Sequence, residues 1–302
     1  MALFDKIITP AFNSEKPTAI FMATNERYAP PTAVAIKSII DHADPNKNYD
    51  IVIANGGNKR SQKWLKSMAT NNISIRIIDI SSLLKNRHFH IVLKRFSVET
   101  YARFFIPGIF EKYDHVLWLD SDIIVLKDIA ELINIDMGNN WWAGSEDIGF
   151  LNKVYRNHFN KIMYPYKITD YLQAGIVVWN IPECRKSNLT SLLFDTLRDM
   201  GPPFLQDQDV INTVAKGKNR IFKIYKLWNV SDIMNIESPY IIHFSRKFKP
   251  WHARPRQEYD DYFWLYAKKT RFYRTIRFRQ KIDFFTRNIK KILRLWKNDD
   301  YE

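Results

Sequence analysis

The sequence predicts an α/β fold with a largely parallel sheet, because short apolar runs alternate with segments of helical spacing along most of the chain. The 302 residues are 46% hydrophobic and 15% aromatic, a size and composition that suit one large domain with an appendage. A chain of this length buries roughly 75% of its extended surface on folding, so it needs no disulfide or structural metal for stability.

The predicted elements follow in order from local patterns. Residues 19–24 read as an apolar strand, and Pro30 and Pro31 then open a helix that reaches His42, because proline is favoured in a first helical turn. The remaining predicted strands are 49–54, 73–80, 115–119, 172–179 and 240–244, and the remaining predicted helices are 61–69, 98–110, 189–200 and 207–215.

Polar side chains lie at the carboxyl ends of three predicted strands, the place where α/β folds bind ligands. Asn25, Asp120 and His243 lie at these ends. Asp120-Ser121-Asp122 interrupts an apolar run, and on a strand its two carboxylates point to the same side. Burying such a pair is costly unless a cation compensates it, and Mg²⁺ and Mn²⁺ are hard cations that also bind substrate phosphates. The motif therefore predicts a metal site, with a polar turn as the alternative interpretation.

Three further polar segments carry candidate ligands, each with a plainer structural interpretation. Residues 23–30 are typical of an ordinary strand–helix turn, and residues 206–209 are typical of a helix N-cap, although one carboxylate would suffice for that. Residues 243–251 begin with a histidine that suits an Asp/Asp/His metal site but is more often structural. The same segment carries Arg246 and Lys249, whose charges suit phosphate oxygens.

The motifs and the composition argue against several classes of protein. No Gly-x-Gly-x-x-Gly or Walker Gly-Lys-Ser/Thr sequence occurs, which disfavours dinucleotide and P-loop sites. The single cysteine, Cys184, permits no intrachain disulfide or cysteine-based zinc site and fits a reducing cytosol. No signal peptide and no membrane-spanning run is predicted, which indicates a soluble or peripheral protein.

In their order and spacing, six segments resemble glycosyltransferase family 8, the family of glycogenin and of bacterial lipooligosaccharide galactosyltransferases. The segments are Phe-Met-Ala-Thr-Asn-Glu-Arg-Tyr-Ala (21–29), Thr-Tyr-Ala-Arg (100–103), Leu-Trp-Leu-Asp-Ser-Asp (117–122), Gln-Ala-Gly-Ile-Val-Val-Trp-Asn (173–180), Asp-Gln-Asp-Val-Ile-Asn (207–212) and His-Phe-x-x-x-x-Lys-Pro-Trp (243–251). Each segment is weakly specific alone, and the resemblance depends on all six. It covers the chain from about residue 19 to residue 251.

The resemblance implies a GT-A fold, a Rossmann-like single domain that binds nucleotide sugars. It also implies transfer of a hexose, galactose or glucose, from a UDP-sugar with retention at the anomeric carbon. The implied acceptor is a glycan, a glycolipid or another envelope glycoconjugate. By the same resemblance Asp120, Asp122 and His243 hold Mn²⁺, with Mg²⁺ possible, and the metal acts as a Lewis acid on the diphosphate.

The remaining candidates take their implied roles from the same family pattern. Ala23, Asn25 and Tyr28 line the implied uridine pocket, and Ser121 belongs to the metal motif. Arg103, Asp147 and Asp207 contact hydroxyls of the donor sugar. Lys249 lies at the diphosphate, and Gln208 lies beneath the anomeric carbon. Gln208 is given a position and no nucleophilic role, because a covalent intermediate and front-face attack are both open for such enzymes.

Two departures from the family pattern fall within the implied site. Gln173 stands where members usually have Asn, and Arg246 stands where they usually have Gly. The longer Gln173 side chain changes the reach to the donor sugar. Arg246 is strained if that position needs a positive φ, or it contacts the diphosphate directly. A UDP-sugar-binding pseudoenzyme is therefore the alternative to an active transferase.

The formal net charge of +14 is concentrated in the C-terminal segment, where residues 267–297 hold twelve Lys or Arg and one acid. An apolar stripe recurs there at helical spacing: Phe278, Ile282, Phe285, Ile289, Ile292 and Trp296. A basic amphipathic helix of this kind predicts contact with an anionic membrane surface through residues 267–302. The alternative interpretation is a terminal helix whose stripe packs on the domain.

The predicted organisation is a catalytic domain over residues 1–266 and a membrane-association tail over residues 267–302. We expect a cytoplasmic protein that is peripheral on the inner face of a bacterial cell membrane. Nucleic acid is not an expected partner, although the chain is basic, because the charge lies at one terminus and the body has no zinc spacing or basic stripe.

Overall fold

The fold is described from a computed structural model that covers residues 7–13, 18–85, 89–91 and 97–299, without the side chains of Phe150 and residues 290–299. Within these ranges the strands are β1 (Thr18–Thr24), β2 (Tyr49–Asn55), β3 (Ile73–Ile78), β4 (His115–Leu119), β5 (Ile123–Val125), β6 (Trp142–Glu146), β7 (Leu172–Asn180), β8 (Ile221–Lys223), β9 (Val230–Ser231) and β10 (Ile241–His243). The α-helices are α1 (Ala29–His42), α2 (Lys59–Lys66), α3 (Ser81–Lys85), α4 (Ile106–Ile109), α5 (Ala130–Ile133), α6 (Lys153–Met163), α7 (Ile181–Lys186), α8 (Leu189–Met200), α9 (Asp207–Ala215), α10 (Asp260–Ala267) and α11 (Tyr273–Asp299). Short 3-10 helices lie at Val98–Phe105, Ile148–Leu151, Ile168–Asp170 and Lys226–Asn229.

The central sheet has the strand order β3-β2-β1-β4-β7-β6-β8. β1 pairs in parallel with β2 and β4, and β2 pairs in parallel with β3. β7 lies antiparallel to both β4 and β6. The predicted parallel arrangement is confirmed for the first four strands in this order, whereas β7 reverses direction. Its amino-terminal end therefore lies beside the carboxyl end of β4.

Side chains alternate along the central strands, so the sheet has an apolar layer on each face. On β1, Ile20 and Met22 belong to one buried cluster, and Ala19 and Phe21 belong to the other. The first cluster also contains residues of α1 and α10, and the second contains residues of α8 and α9. Strands covered on both faces are apolar at nearly every position, which is why β1 and β2 stand out as apolar runs in the sequence.

The chain passes from the central sheet into a smaller sheet at Asp120-Ser121-Asp122. β4 ends at Leu119 and β5 begins at Ile123, and the smaller sheet has the order β5-β10-β9. The expectation that both carboxylates stand on one strand is therefore wrong, because they lie in the connection between two strands. They still converge with His243, since β5 pairs with β10 and places Ile123 opposite that histidine.

The predicted helix 98–110 forms in two parts, a 3-10 helix at Val98–Phe105 followed by α4 at Ile106–Ile109. Pro107 accounts for the division. Proline has no amide hydrogen, and inside a continuous α-helix its ring collides with the preceding turn, so it is tolerated at the start of a new helix. Arg103 is among the residues that this first part buries.

The C-terminal segment docks on the domain through its beginning and exposes a stripe further along. Phe272 and Ile276 are buried in the same cluster as α1 and α10. The described members of the apolar stripe are exposed: Phe278 by 63%, Ile282 by 49%, Phe285 by 62% and Ile289 by 56%. The stripe therefore does not pack on the domain over these four side chains, while the side chains of Ile292 and Trp296 lie outside the described residues. Division of the chain at residue 267 stays a prediction.

None of the described helices combines the length and the apolar character that a crossing of the bilayer requires. This includes α11, whose 27 residues are interrupted by charged side chains.

Replacing Phe21 by Ala is expected to lower the free energy of unfolding by about 3–5 kcal/mol, because it removes a fully buried ring. The ring packs edge-on against Phe110 and Trp118, at centroid distances of 5.1 and 5.5 Å. Urea denaturation followed by tryptophan fluorescence measures the loss. Phe222→Ala, on the exposed edge strand β8, is the matched control and should cost less than about 1 kcal/mol. Equal losses would contradict the assignment of Phe21 to the core.

Candidate functional site

A cavity of about 810 Å³ lies beyond the carboxyl ends of β1 and β4. It is lined by every site residue that the sequence predicts: Ala23, Asn25, Tyr28, Arg103, Asp120, Ser121, Asp122, Asp147, Gln173, Asp207, Gln208, His243, Arg246 and Lys249. The sheet explains this gathering, since β1 and β4 are parallel neighbours and the antiparallel β7 starts beside the end of β4. Residues from distant parts of the sequence therefore share one concave surface.

Two carboxylates and an imidazole converge in this cavity. Asp120, Asp122 and His243 each offer one ligand atom, and these atoms lie within 4.8 Å of one another. His243 Nε2 lies 3.5 Å from Asp122 Oδ1 and 3.9 Å from Asp120 Oδ2. Carboxylate oxygens with one imidazole nitrogen suit a divalent cation such as Mn²⁺ or Mg²⁺. These three residues, the metal group, are therefore able to hold one such ion.

Gly175 lets the backbone of β7 approach this group closely. Its carbonyl oxygen accepts a 2.8 Å hydrogen bond from the backbone amide of Asp120. A Cβ at this position would overlap with His243 Cε1 and would lie 2.8 Å from Asp120 Oδ2, which is also too close. Glycine is therefore required here, because there is no space for a side chain.

Arg103 is a buried cation, 2% exposed, that joins several parts of the site. Its Nη2 lies 3.1 Å from Asp120 Oδ1, and its Nε lies 2.9 Å from Asp207 Oδ2. Nη1 donates to the carbonyl oxygen of Ala174, and the guanidinium lies 4.2 Å from the centre of the Trp118 ring. Burial raises the pKa of Asp207 to about 6, and Arg103 limits that rise. One cation thus compensates two carboxylates that would otherwise repel each other.

Lys249 supplies a second cation, at the other carboxylate of the metal motif. Its Nζ lies 2.7 Å from Asp122 Oδ2 and also donates to the carbonyl oxygen of Phe244. Burial by itself raises the pKa of Asp122, but Lys249 and His243 outweigh it and hold that pKa below its usual range. Asp122 is therefore ionised at neutral pH, the state in which a carboxylate binds a cation.

Gln208 is held at both ends of its amide. Its Nε2 donates to Asp147 Oδ2 at 2.8 Å, and its Oε1 accepts from the backbone amide of Ala174 at 3.0 Å. The backbone amide of Gly149 donates to the other oxygen of Asp147 at 2.7 Å. Gln206 just before α9 has a φ of +51°, a conformation that is strained for a residue with a side chain and that clusters at functional sites. These constraints give Gln208 one orientation at the cavity wall.

The loop after β1 is ordered by its own side chain. Asn25 Oδ1 accepts hydrogen bonds from the backbone amides of Arg27 and Tyr28, at 3.0 and 3.2 Å. The Tyr28 ring meets Trp251 edge-on at 6.1 Å, so this loop and the Lys-Pro-Trp segment support each other. Asn25 therefore caps the turn that leads into α1 and faces the cavity from a fixed position.

Ser121 ties the metal motif to that same loop. Its Oγ lies 2.9 Å from Thr32 Oγ1 and donates to the carbonyl oxygen of Ala23 at 3.3 Å. The side chain is buried and makes its contacts with protein groups. The contacts show a structural task for Ser121, which fixes the connection between the two carboxylates.

Arg246 takes an ordinary backbone conformation, because its φ is not positive. Its Nε lies 3.7 Å from Asp232 Oδ2, and its Nη2 donates to the carbonyl oxygen of Asp232 at 3.3 Å. Burial raises the pKa of Asp232, and Arg246 opposes that rise. The strain that a positive φ would have imposed on this arginine is therefore not present.

Two supporting residues were not predicted as part of the site. Asp209 is fully buried and hydrogen-bonds with three groups, His158 Nε2, Tyr171 OH and the Leu205 amide. It anchors the start of α9, so one carboxylate of the cluster 206–209 is structural. Asn229 lies with its Oδ1 3.2 Å from His243 Nδ1. No local motif marks this asparagine, which follows Lys226-Leu227-Trp228 in the sequence and reaches the site through the smaller sheet.

Comparison with known proteins gives the family. The sequence model of glycosyl transferase family 8 matches residues 19–254, which is most of the chain. The chain belongs to glycosyl transferase family 8. The matched range contains the cavity and every predicted site residue.

Relatives and solved structures agree with this membership. Glycosyltransferase GlyB of Streptococcus pneumoniae is 26% identical over 266 residues, which cover 82% of this chain and 60% of GlyB. A lipopolysaccharide 1,3-galactosyltransferase of Salmonella typhimurium is 29% identical over 192 residues, which cover 58% of this chain and 55% of that enzyme. The chain thus spans little more than half the length of these two relatives.

Among solved structures, the bifunctional glycosyltransferase WbbM in its apo form matches with a TM-score of 0.79 at 27% identity, over 92% of this chain and 54% of WbbM. The galactosyltransferase LgtC, in complex with donor and acceptor sugar analogues, matches with a TM-score of 0.71 at 19% identity, over 84% of this chain and 96% of LgtC. The mixed α/β fold with a parallel-rich central sheet is therefore the GT-A fold of these glycosyltransferases.

Replacing Gly175 by Ala is expected to lower the affinity for Mn²⁺ about 10-fold or more, because the added Cβ displaces His243 and Asp120. Calorimetric titration with MnCl₂ measures the affinity. Gly138→Ala is the control, because a Cβ there meets no atom within 4 Å, although its φ of +52° carries a conformational cost. Unchanged Mn²⁺ affinity in the Gly175 variant would contradict the placement of the metal group.

Proposed function

We propose that the protein is a retaining, metal-dependent glycosyltransferase that moves a hexose from a UDP-sugar to a glycan or glycolipid acceptor. The observation that carries the proposal is the convergence of Asp120, Asp122 and His243 in the cavity that also holds Lys249 and Gln208. Galactose and glucose are the proposed sugars, since relatives are named as lipopolysaccharide 1,3-galactosyltransferase and, in Escherichia coli, lipopolysaccharide 1,2-glucosyltransferase.

The donor set of the site fits Mn²⁺, with Mg²⁺ as the alternative cation. Asp120, Asp122 and His243 are the residues that would hold it. When bound, the ion supplies Lewis-acid stabilisation of the charge that develops on the departing diphosphate. Lys249, whose Nζ lies 2.7 Å from Asp122 Oδ2, adds a fixed positive charge at the same place. Arg246 at the cavity wall offers a further cation to the phosphates.

The donor sugar is proposed to lie against Asp147, Asp207 and Gln208. The two carboxylates are able to accept hydrogen bonds from hydroxyl groups, and Gln208 is proposed to lie beneath the anomeric carbon, the position that the resemblance implies for it. The guanidinium of Arg103 donates to protein oxygens, so the proposed role of Arg103 is to position Asp207 and Asp120. Preorganised groups of this kind lower the barrier because they need no rearrangement during the reaction.

The uridine is proposed to bind at Ala23, Asn25 and Tyr28, on the loop after β1.

An active enzyme is favoured over a UDP-sugar-binding pseudoenzyme by the two positions that depart from the family pattern. Arg246 is unstrained, and Gln173 is hydrogen-bonded within the site without blocking the metal group. Neither residue therefore obstructs the proposed chemistry.

Purified protein is expected to release UDP from one member of a panel of UDP-hexoses with Mn²⁺, and EDTA is expected to abolish the release. Asp120→Asn should lower the rate by more than about 100-fold, since changes outside the ligand shell alone cost 10- to 100-fold. Asp136→Asn, at an exposed carboxylate, is the control. Full activity of the Asp120 variant, or release that survives EDTA, would contradict the metal assignment.

We also propose that the protein is peripheral on the cytoplasmic face of a bacterial membrane, held there by α11. The helix docks through one side: Gln280 donates to the carbonyl oxygen of Pro250, and Asp283 accepts from the amide of Ala253. The exposed residues Phe278 and Ile282 lie on the opposite side, given 100° of rotation per residue. Basic side chains around an exposed apolar stripe suit an anionic lipid surface.

Replacing Phe278, Ile282, Phe285 and Ile289 together by Gln is expected to weaken binding to phosphatidylglycerol vesicles at least about 100-fold, because each side chain gains roughly 1.5 kcal/mol or more from burial. Vesicle sedimentation measures the binding, and UDP release should be spared. These substitutions are preferable to deletion of residues 267–302, which also removes Phe272 and Ile276 from the core.

A variant with Gln at the exposed residues Val154 and Tyr164 is the matched control for this experiment. It should bind vesicles as the unaltered protein does. Retained vesicle binding by the four-residue variant would place the anchor elsewhere. Tighter binding to single-stranded nucleic acid than to vesicles would favour the nucleic-acid alternative.

A further inference from the structure

A line of hydrogen bonds runs from the backbone of β7 to the imidazole of the metal group through two amide side chains. The Gly175 amide donates to Gln173 Oε1 at 2.8 Å. Gln173 Oε1 also accepts from Asn229 Nδ2 at 2.9 Å. Asn229 Oδ1 lies 3.2 Å from His243 Nδ1. Four residues from three segments of the chain are thus connected in a single path.

The backbone amide at one end sets the direction of every bond in this path. Gly175 N–H can only donate, so the Gln173 atom facing it is the carbonyl oxygen. That oxygen can only accept, so Asn229 presents its NH₂ group to it. The Asn229 carbonyl oxygen then faces His243 and can only accept, which places the hydrogen of the imidazole on Nδ1. His243 Nε2 is consequently the nitrogen with a free lone pair, and it is the atom that faces Asp120 and Asp122.

Asn229 is well placed to hold this arrangement because its surroundings are fixed. Its second amide hydrogen donates to Ser145 Oγ at 2.9 Å, so both donors and the acceptor are used. Its neighbours Trp228 and Val230 are buried, and Val230 begins the strand that pairs with β10. The side chain is therefore positioned by the core and by the smaller sheet together.

Gln173 keeps one group for a ligand. Its oxygen is occupied by Gly175 and Asn229, whereas its Nε2 has no acceptor among the protein groups described, and the residue lines the cavity. The group that Gln173 offers to the UDP-sugar is therefore an NH₂ group, which donates hydrogen bonds and suits a hydroxyl oxygen of a hexose. An asparagine one methylene shorter would not reach the same position.

We propose that Asn229 is a positioning residue that fixes the imidazole tautomer of His243 for the cation and orients the Gln173 NH₂ group towards the donor sugar. This inference rests on the proposed function and deepens it. A metal-binding histidine is commonly oriented by the group that accepts from its other nitrogen, and loss of that group weakens metal binding about 10- to 100-fold. Here the same side chain also serves sugar recognition, because an amide both accepts and donates.

Two substitutions of Asn229 separate these two tasks. Asn229→Leu has nearly the same shape but neither accepts nor donates, so the affinity for Mn²⁺ should fall about 10- to 100-fold. Asn229→Asp still accepts from His243 but cannot donate to Gln173, so Mn²⁺ should bind within about threefold of the unaltered protein or more tightly. Both variants should raise the KM for the UDP-sugar. Calorimetric titration with MnCl₂ alone gives the metal affinity independently of turnover.

Ser145→Ala is the matched control, because it removes one contact of Asn229 and leaves those to His243 and Gln173. It should keep both Mn²⁺ affinity and KM, and thermal unfolding checks that every variant is folded. Unaltered Mn²⁺ affinity in Asn229→Leu would overturn the inference, as would an equal loss in Asn229→Asp and Asn229→Leu. Failure of the unaltered protein itself to bind Mn²⁺ would instead overturn the proposed metal site.

Discussion

The site depends on the ion pairs of one buried guanidinium, that of Arg103. Asp120 comes from the end of β4 and Asp207 from the start of α9, and both meet this single cation. Without it, two carboxylates would be held close together in a partly dry cavity, an arrangement that costs several kcal/mol for each unpaired charge. The backbone oxygen of Ala174 and the face of Trp118 complete the surroundings of the guanidinium. Arg103 thus makes it physically possible for an acidic site to assemble from distant segments.

The second requirement is a change of strand direction. Because β7 runs antiparallel to β4, its amino-terminal residues reach the edge where the parallel strands end. Gly175 then brings the backbone within contact distance of His243 and Asp120, with no side chain between them. The connection of β4 to β5 at this point carries the chain into a second sheet, which delivers the histidine. The metal group therefore lies where the two sheets meet.

Much of this arrangement was predictable from the sequence, and the limits have physical causes. Strands buried on both faces, such as β1 and β4, are apolar runs of recognisable length, and the predicted helices 189–200 and 207–215 are confirmed at both ends. The predicted site residues that line the cavity lie in the six quoted segments, with the exception of Asp147. Short elements such as β9 were missed, since a two-residue strand leaves no periodic pattern. Asn229 was missed because its importance depends on hydrogen bonds to residues distant in sequence.

The docking of α11 has a geometric consequence for the acceptor. A flexible linker would leave the distance between the cavity and a bilayer variable. In contrast, α11 is hydrogen-bonded to the domain at Arg27, Pro250 and Ala253. These three residues belong to two loops, one at Arg27 and one over residues 250–253, and both loops line the cavity. An enzyme anchored as proposed would therefore hold the cavity at one distance from the bilayer and at one tilt. In the proposed reaction, a membrane-bound acceptor would then be reached only where its accepting group lies at that distance from the lipid headgroups. The length of the acceptors that react would then depend on how α11 holds the protein at the membrane, as well as on the shape of the cavity.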